Sequence, residues 1–219
     1  QGTVIRYNCL YEIGDEPNNP HGIYFDDAQS GQTAYGNLLV NVRKFGFLIG
    51  GGRDNVVRDN IIVNAGQRAI HFDARARDGF VDDGWYRSIR DRSNEQWRAL
   101  DAMPVRGPVW AARYPSLARI SDAFDHPDDP EFACNPSHNI VADNLVLDDE
   151  AELGWLAEAV HRFSRIGPNL ACALDEDVGF VDAAHGDYTL RPDAPVYQRL
   201  PGFLRETGGN IPLADIGRL

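Results

Sequence analysis

The sequence predicts an all-β protein, a parallel β-helix (solenoid) with a partly helical insertion and a C-terminal capping segment. Three observations predict it: an asparagine-centred strand motif that recurs, a second strand motif with two apolar columns, and one long segment in which neither occurs.

The first motif is a short apolar strand, a polar residue, asparagine and another apolar strand. It appears as "TVIRYNCLYEIG" (3–14), "TAYGNLLVNV" (33–42), "NVVRDNIIVNAG" (55–66) and "NIVADNLVLDDE" (139–150), centred on Asn8, Asn37, Asn60 and Asn144. The step from Asn37 to Asn60 suits one turn of a solenoid, whose turns bury their apolar faces only by stacking on neighbours. Asparagine fits because it tolerates left-handed corners and hydrogen-bonds its equivalent one turn away.

The second motif lies between those asparagines as "GIYFDD" (22–27), "GFLIGG" (46–51) and "AIHFDA" (69–74). Alignment puts Ile23, Phe47 and Ile70 in one column and Phe25, Ile49 and Phe72 in another. Side chains alternate across a strand. The apolar columns should therefore fill the core, while Tyr24, Leu48 and His71, then Asp26, Gly50 and Asp73, face outward.

Residues 76–138 interrupt the repeat. Within them "DGWYRSIRDRSNEQWRALDAM" has the spacing of an amphipathic helix, and "PVRGPVWAARYPSLARI" reads as loop then helix. Asp15 to Pro20 is a smaller excess, and both excesses border the strands that carry aspartate. Insertions on one side of a repeat commonly mark its binding side. The chain is thus read as one domain. Residues 1–150 carry the turns, with 76–138 inserted; 151–219 supply a helix beginning near 150 and an extended tail that closes the C-terminal edge. The abrupt start in "GTVIRYN" suggests a piece of a longer chain with further N-terminal turns, and an exposed first turn is expected to favour end-to-end self-association.

Composition narrows the function. The 219 residues carry a net charge of -12, which argues against nucleic acid or anionic lipid as the main partner. Nearly all the cations are arginine, with Lys44 the single lysine. No apolar run reaches the ~20 residues that span a bilayer. Cys9, Cys134 and Cys172 form no C-x-x-C pair, so no zinc site is expected; they read as buried or isolated thiols, a Cys134 to Cys172 bridge being the one disulfide left open. Phosphate-loop, dinucleotide, nucleophile-elbow and H-E-x-x-H signatures are missing from the sequence.

The chemistry therefore falls on the outward aspartates. Asp26 and Asp73 lie two strands apart, about 9.6 Å between backbones. Carboxylate rotamers bring the oxygens to about 7–11 Å, which overlaps the ~6.5–9.5 Å of an inverting glycosidase, in which one carboxyl protonates the leaving oxygen and the other activates water. The bare Gly50 leaves a floor between them. The other roles open to these groups are corner caps, or Ca²⁺ ligation by Asp26, Asp27 and Asp73. Substrate contacts are expected from Tyr24, Asp27 and His71, and from Arg53 and Arg75, which suit a carboxylated sugar. Trp85 and Trp110 are the tryptophans placed to stack on a sugar; Trp97 and Trp155 read as core anchors.

The stretches "HGIYFDD", "IGGGRDNVVRDNIIVNAG", "AIHFDARA", "GDYTLRPDAPVY" and "IPLADIGRL" resemble the C-terminal portion of bacterial right-handed parallel β-helix proteins of the pectate-lyase-like superfamily, especially glycoside hydrolase family 141. The resemblance implies a secreted or periplasmic protein acting on a polysaccharide, with acids in its groove. The positions matching the family's segments are Tyr24, Asp26, Asp27, His71, Asp73 and Arg75. The expected function is glycoside hydrolysis by Asp26 and Asp73 without a cofactor. The alternatives are a polysaccharide lyase or uronate epimerase using Ca²⁺ with Arg53 or Arg75, and a non-catalytic carbohydrate-binding or structural protein.

Overall fold

A computed structural model describes residues 2–14, 20–79 and 82–216; the expected excess at 15–20 falls almost wholly outside them, as do the last three residues of "IPLADIGRL". The chain delivers successive strands to three different sheets in rotation. The first round is β1 (Thr3–Arg6), β2 (Cys9–Ile13) and β3 (Ile23–Phe25). The second is β4 (Gln32–Tyr35), β5 (Leu38–Val42) and β6 (Phe45–Gly50), and the third β7 (Val56–Arg58), β8 (Ile61–Ala65) and β9 (Arg68–Asp73). After five helices, α1 (Arg75–Asp78), α2 (Gly84–Arg90), α3 (Glu95–Ala102), α4 (Pro108–Arg113) and α5 (Pro115–Ala118), the rotation resumes. It continues with β10 (Ile140–Ala142), β11 (Leu145–Leu147), β12 (Gly154–Leu156), α6 (Glu158–Phe163), β13 (Arg165–Ile166) and β14 (Leu170–Cys172).

The sheets run β1-β4-β7-β10-β13, β2-β5-β8-β11-β14 and β3-β6-β9-β12, all with parallel neighbours. The all-β β-helix expected from sequence is corrected: the protein is 31% strand and 23% helix, three parallel sheets accompanied by helices. The helices arise where the alternating pattern fails. Asp83 and Asn94 accept amide hydrogen bonds that cap α2 and α3, at 2.8 and 2.9 Å, and proline opens both α4 and α5. The single amphipathic helix expected over 83–103 is two helices, broken where Arg92 adopts φ 59°.

One core lies between the sheets. It takes Ala34, Val57 and Val141 from the first, Leu39, Ile62 and Val146 from the second, and Phe25, Phe47, Ile49, Ile70 and Phe72 from the third. The two columns of the third sheet match the sequence alignment, with Ile23 opposite Phe47 and Phe47 opposite Ile70.

A ladder of asparagine amides, buried at Asn37, Asn60 and Asn144, joins the first and second sheets. Each asparagine donates its Nδ2 to the next Oδ1: Asn8 to Asn37 at 2.8 Å, Asn37 to Asn60 at 2.9 Å, Asn60 to Asn144 at 3.0 Å and Asn144 to Asn169 at 2.9 Å. The left-handed residue at each corner is the one before the asparagine, as at Tyr7, Gly36, Asp59 and Asp143, with φ of 54–62°. The asparagines thus bridge rounds and leave the bend to their neighbours.

Two further expectations are corrected, and the cysteines are settled as thiols. The pattern does not fade after Asn144, because β12, β13 and β14 extend all three sheets and only 158–163 of the expected helix is helical. The tail does not close an edge. Its antiparallel pair β15 (Phe180–Asp182) and β16 (Asp187–Leu190), with α7 (Val196–Arg199), packs on Leu38, Val40, Ile61, Val63, Leu145 and Leu147, the outer face of the second sheet. All three cysteines are free, so no Cys134 to Cys172 bridge forms. No helix among the described residues is long and apolar enough to cross a membrane.

Candidate functional site

The third sheet presents its outer face to solvent, and two rows of side chains cross it. Register places Tyr24 opposite Leu48, Leu48 opposite His71 and His71 opposite Trp155. At the N-terminal ends of the strands His21 stacks on Phe45 (5.1 Å, 18°), Phe45 on His71 (4.5 Å, 6°), and His71 meets Trp155 (4.8 Å, 30°). The rings form a continuous aromatic strip, with Tyr24 46% and Trp155 43% exposed. Burial, aided by Arg68, His21 and Lys44, pushes His71 down to about 4, so the imidazole is neutral over the physiological range.

The second row is acidic. Gly50 pairs with Asp73 at the C-terminal ends of β6 and β9, and Asp26 follows directly after β3, whose last residue Phe25 pairs with Ile49. Gly50 holds its place because a Cβ there would lie 3.0 Å from the Asp27 amide nitrogen. The two outer acids differ in setting. Asp26 is exposed and hydrogen-bonded to the Tyr24 hydroxyl, whereas Asp73 is half-buried. Burial raises the Asp73 carboxyl above the usual carboxylate range; the Arg75 amide, which donates to Oδ1 at 3.0 Å, and the Arg75 charge oppose this, and Asp27 and Asp26 reinforce it.

Asp27, in the left-handed region at φ 39°, turns toward the helices. Its Oδ1 lies 2.6 Å from Arg75 Nη1 in an ion pair that lacks hydrogen-bond geometry, while Arg75 Nη2 donates to Asp83 Oδ2 at 2.9 Å. The same guanidinium sits over Trp85, 5.1 Å from the ring centre. Burial also raises Asp27, opposed by Arg75 and reinforced by Asp26 and Asp83.

The fold therefore brings together six of the seven residues singled out from sequence: Tyr24, Asp26, Asp27, His71, Asp73 and Arg75. Arg53 is corrected. It is 2% exposed, and its guanidinium is held by Glu131 Oε2 at 2.7 Å and Asp54 Oδ2 at 3.3 Å, inside the junction with the insertion. A substrate carboxylate cannot reach it. Trp110 packs on Tyr114, 5.5 Å between centroids, with no ring contact to the acidic row.

Sequence reasoning missed Trp155, Phe45, His21 and Asp83. Trp155 carried a usable signal, since "GWL" alternates like "IHF" and pairs with it, but it lay in a stretch read as helix. Asp83 reaches the site only because α2 folds back onto α1, a contact between turns of an irregular segment that no period encodes. Among the described residues no group of three or more His, Cys, Asp or Glu side chains is arranged to hold a metal ion, the three aspartates included. Comparison with family models, with curated proteins and with solved structures finds no match to this chain.

Proposed function

We propose that the outer face of the third sheet hydrolyses a glycosidic bond, with a saccharide laid along the aromatic strip and Asp26 and Asp73 as the reacting pair. The observation that carries this reading is a pair of carboxyls at strand ends of one sheet: Asp73 is paired with Gly50, and Asp26 directly follows Phe25, the partner of Ile49. Two strand spacings put their backbones about 9.6 Å apart, near the ~6.5–9.5 Å that leaves room for a water and gives inversion. Environment assigns the roles. Asp73, half-buried and raised, is the acid that protonates the leaving oxygen; Asp26, exposed, is the base that takes the proton of the attacking water. Water oxygen bonds to the anomeric carbon as the glycosidic C–O bond breaks. Tyr24 orients the Asp26 carboxylate, and neutral His71 and Trp155 provide faces and edges for sugar rings.

The lyase or epimerase alternative needs a free arginine beside the uronate. Arg53 is buried in ion pairs and Arg75 is bound to both Asp27 and Asp83, which disfavours that reading. Non-catalytic saccharide binding draws support from the exposed aromatics alone.

The test is a screen of the protein on neutral and uronic polysaccharides beside Asp26→Asn and Asp73→Asn. Hydrolysis with inverted anomeric configuration, reduced about 10²–10⁴-fold in each variant, is expected. Undiminished turnover in either variant would sink the assignment, and a product with a new double bond would favour elimination. Binding without turnover would leave only the non-catalytic reading.

A further inference from the structure

Beyond the C-terminal ends of β3 and β9 an open cleft of about 320 Å³ separates the sheet loops from the inserted helices. Its walls include Ala28, Ala76, Trp97, Leu100, Leu117 and Cys134. Ala28 lies two residues past Asp26 and Ala76 three past Asp73, so the cleft begins close along the chain to both acids, neither of which is on its wall. Most polar groups on its walls are already engaged. Gln96 Nε2 donates to the Asp27 carbonyl at 2.9 Å, Ser30 Oγ to the Ala28 carbonyl at 2.9 Å, and Trp97 Nε1 to the Ile89 carbonyl at 2.8 Å, while Arg53 is held by Glu131. What the cleft offers a ligand is hydrocarbon and indole.

A saccharide, with hydroxyls on most of its carbons, gains little from such walls and loses its hydration there. A flat apolar ring gains from the area it removes from water. The volume is about twice the ~150 Å³ in which an apolar cavity holds benzene, and lies within the range of small-ligand sites.

Resting on the function proposed above, we infer that the bond cleaved joins a sugar to an aromatic alcohol, and that the cleft holds this aryl leaving group. The saccharide lies on the aromatic strip, the anomeric carbon sits over Gly50, and the aryl ring occupies the cleft. Hydrolysis adds water across the bond. The phenolic oxygen leaves with the proton of Asp73, the water oxygen joins the anomeric carbon, and Asp26 takes the released proton. A phenol leaves more readily than an alkyl alcohol, so Asp73 contributes less to such a substrate.

The experiment uses the full chain with matched 4-nitrophenyl and methyl glycosides of a panel of sugars, and free 4-nitrophenol in equilibrium dialysis. Saturable 4-nitrophenol binding is expected, with kcat/KM at least tenfold higher for aryl than for methyl glycosides. Ala99→Trp and Met103→Glu alter exposed positions on the cleft wall; each should lower the aryl-to-methyl ratio about tenfold and abolish 4-nitrophenol binding. Asp73→Asn should cost the methyl glycoside more than the aryl one. Equal cleavage of aryl and methyl glycosides, abolished by Asp26→Asn, would overturn this inference and leave the hydrolase reading standing. Unsaturable 4-nitrophenol uptake would overturn it as well. If 4-nitrophenol binds but no glycoside is cleaved, the hydrolase reading fails and the leaving-group assignment fails with it.

Discussion

Asp26 is exposed and Asp73 half-buried, and burial raises the Asp73 carboxyl above the usual carboxylate range. Asp73 sits against the backbone that turns into α1, and the cost of charging it there exceeds what the Arg75 amide and guanidinium return. The same physics acts in reverse on His71, packed between Phe45 and Trp155, where burial disfavours the cation. Its folded value of about 4 lies below the ~6.5 of an unfolded histidine. The unfolded chain therefore binds the extra proton first, and His71 withdraws stability as pH falls from about 6.5 toward 4. His71→Phe keeps the stack and removes the titration. Chemical denaturation across that interval should show a shallower loss of stability for the variant, and identical profiles would contradict the burial of the imidazole.

Among the elements, the amide ladder ties the rounds of chain together. Asn60 is fully buried; its Oδ1 accepts from the Asn37 side chain, and its Nδ2 donates to Asn144 and to the Ala34 carbonyl at 3.1 Å. Asn60→Leu leaves the Asn37 amide, the Asn144 oxygen and the Ala34 carbonyl short of a partner. At about 1–3 kcal/mol for an unsatisfied buried group, with partial relaxation, the expected loss is about 2–4 kcal/mol in urea denaturation. A loss under about 1 kcal/mol would mean that the ladder is incidental. These asparagines were legible because they repeat in phase at strand boundaries. Asn169 was missed because "IGPNLACA" has two turn-forming residues before the asparagine and the strand preceding them is only two residues long.

At the scale of the whole molecule, the tail accounts for a feature of the second sheet. Leu38, Leu39 and Val40 are all buried because one side of β5 meets the core and the other meets the tail. Parallel strands covered on both faces read as continuous apolar runs. Phe203, 2% exposed, is among the large side chains that the tail sets on that face. Phe203→Ala should destabilise the protein by about 3–5 kcal/mol and expose the second sheet, detected as a lowered Tm with increased dye binding. An unchanged Tm would show that the tail does not stabilise the sheets.

The sequence by itself determined the two apolar columns of the third sheet and the first four asparagines of the ladder. Those follow from a period of two along each strand and from a motif that recurs at strand boundaries, which are local properties of the chain. Tertiary structure alone decided the helical share of the fold, the burial of Arg53 by Glu131, the arrival of Asp83 beside Arg75, and the use of the tail as a cover for the second sheet. Each of those depends on which surface an irregular segment meets. That choice is made by packing and charge between residues distant in sequence, and no repeat along the chain records it.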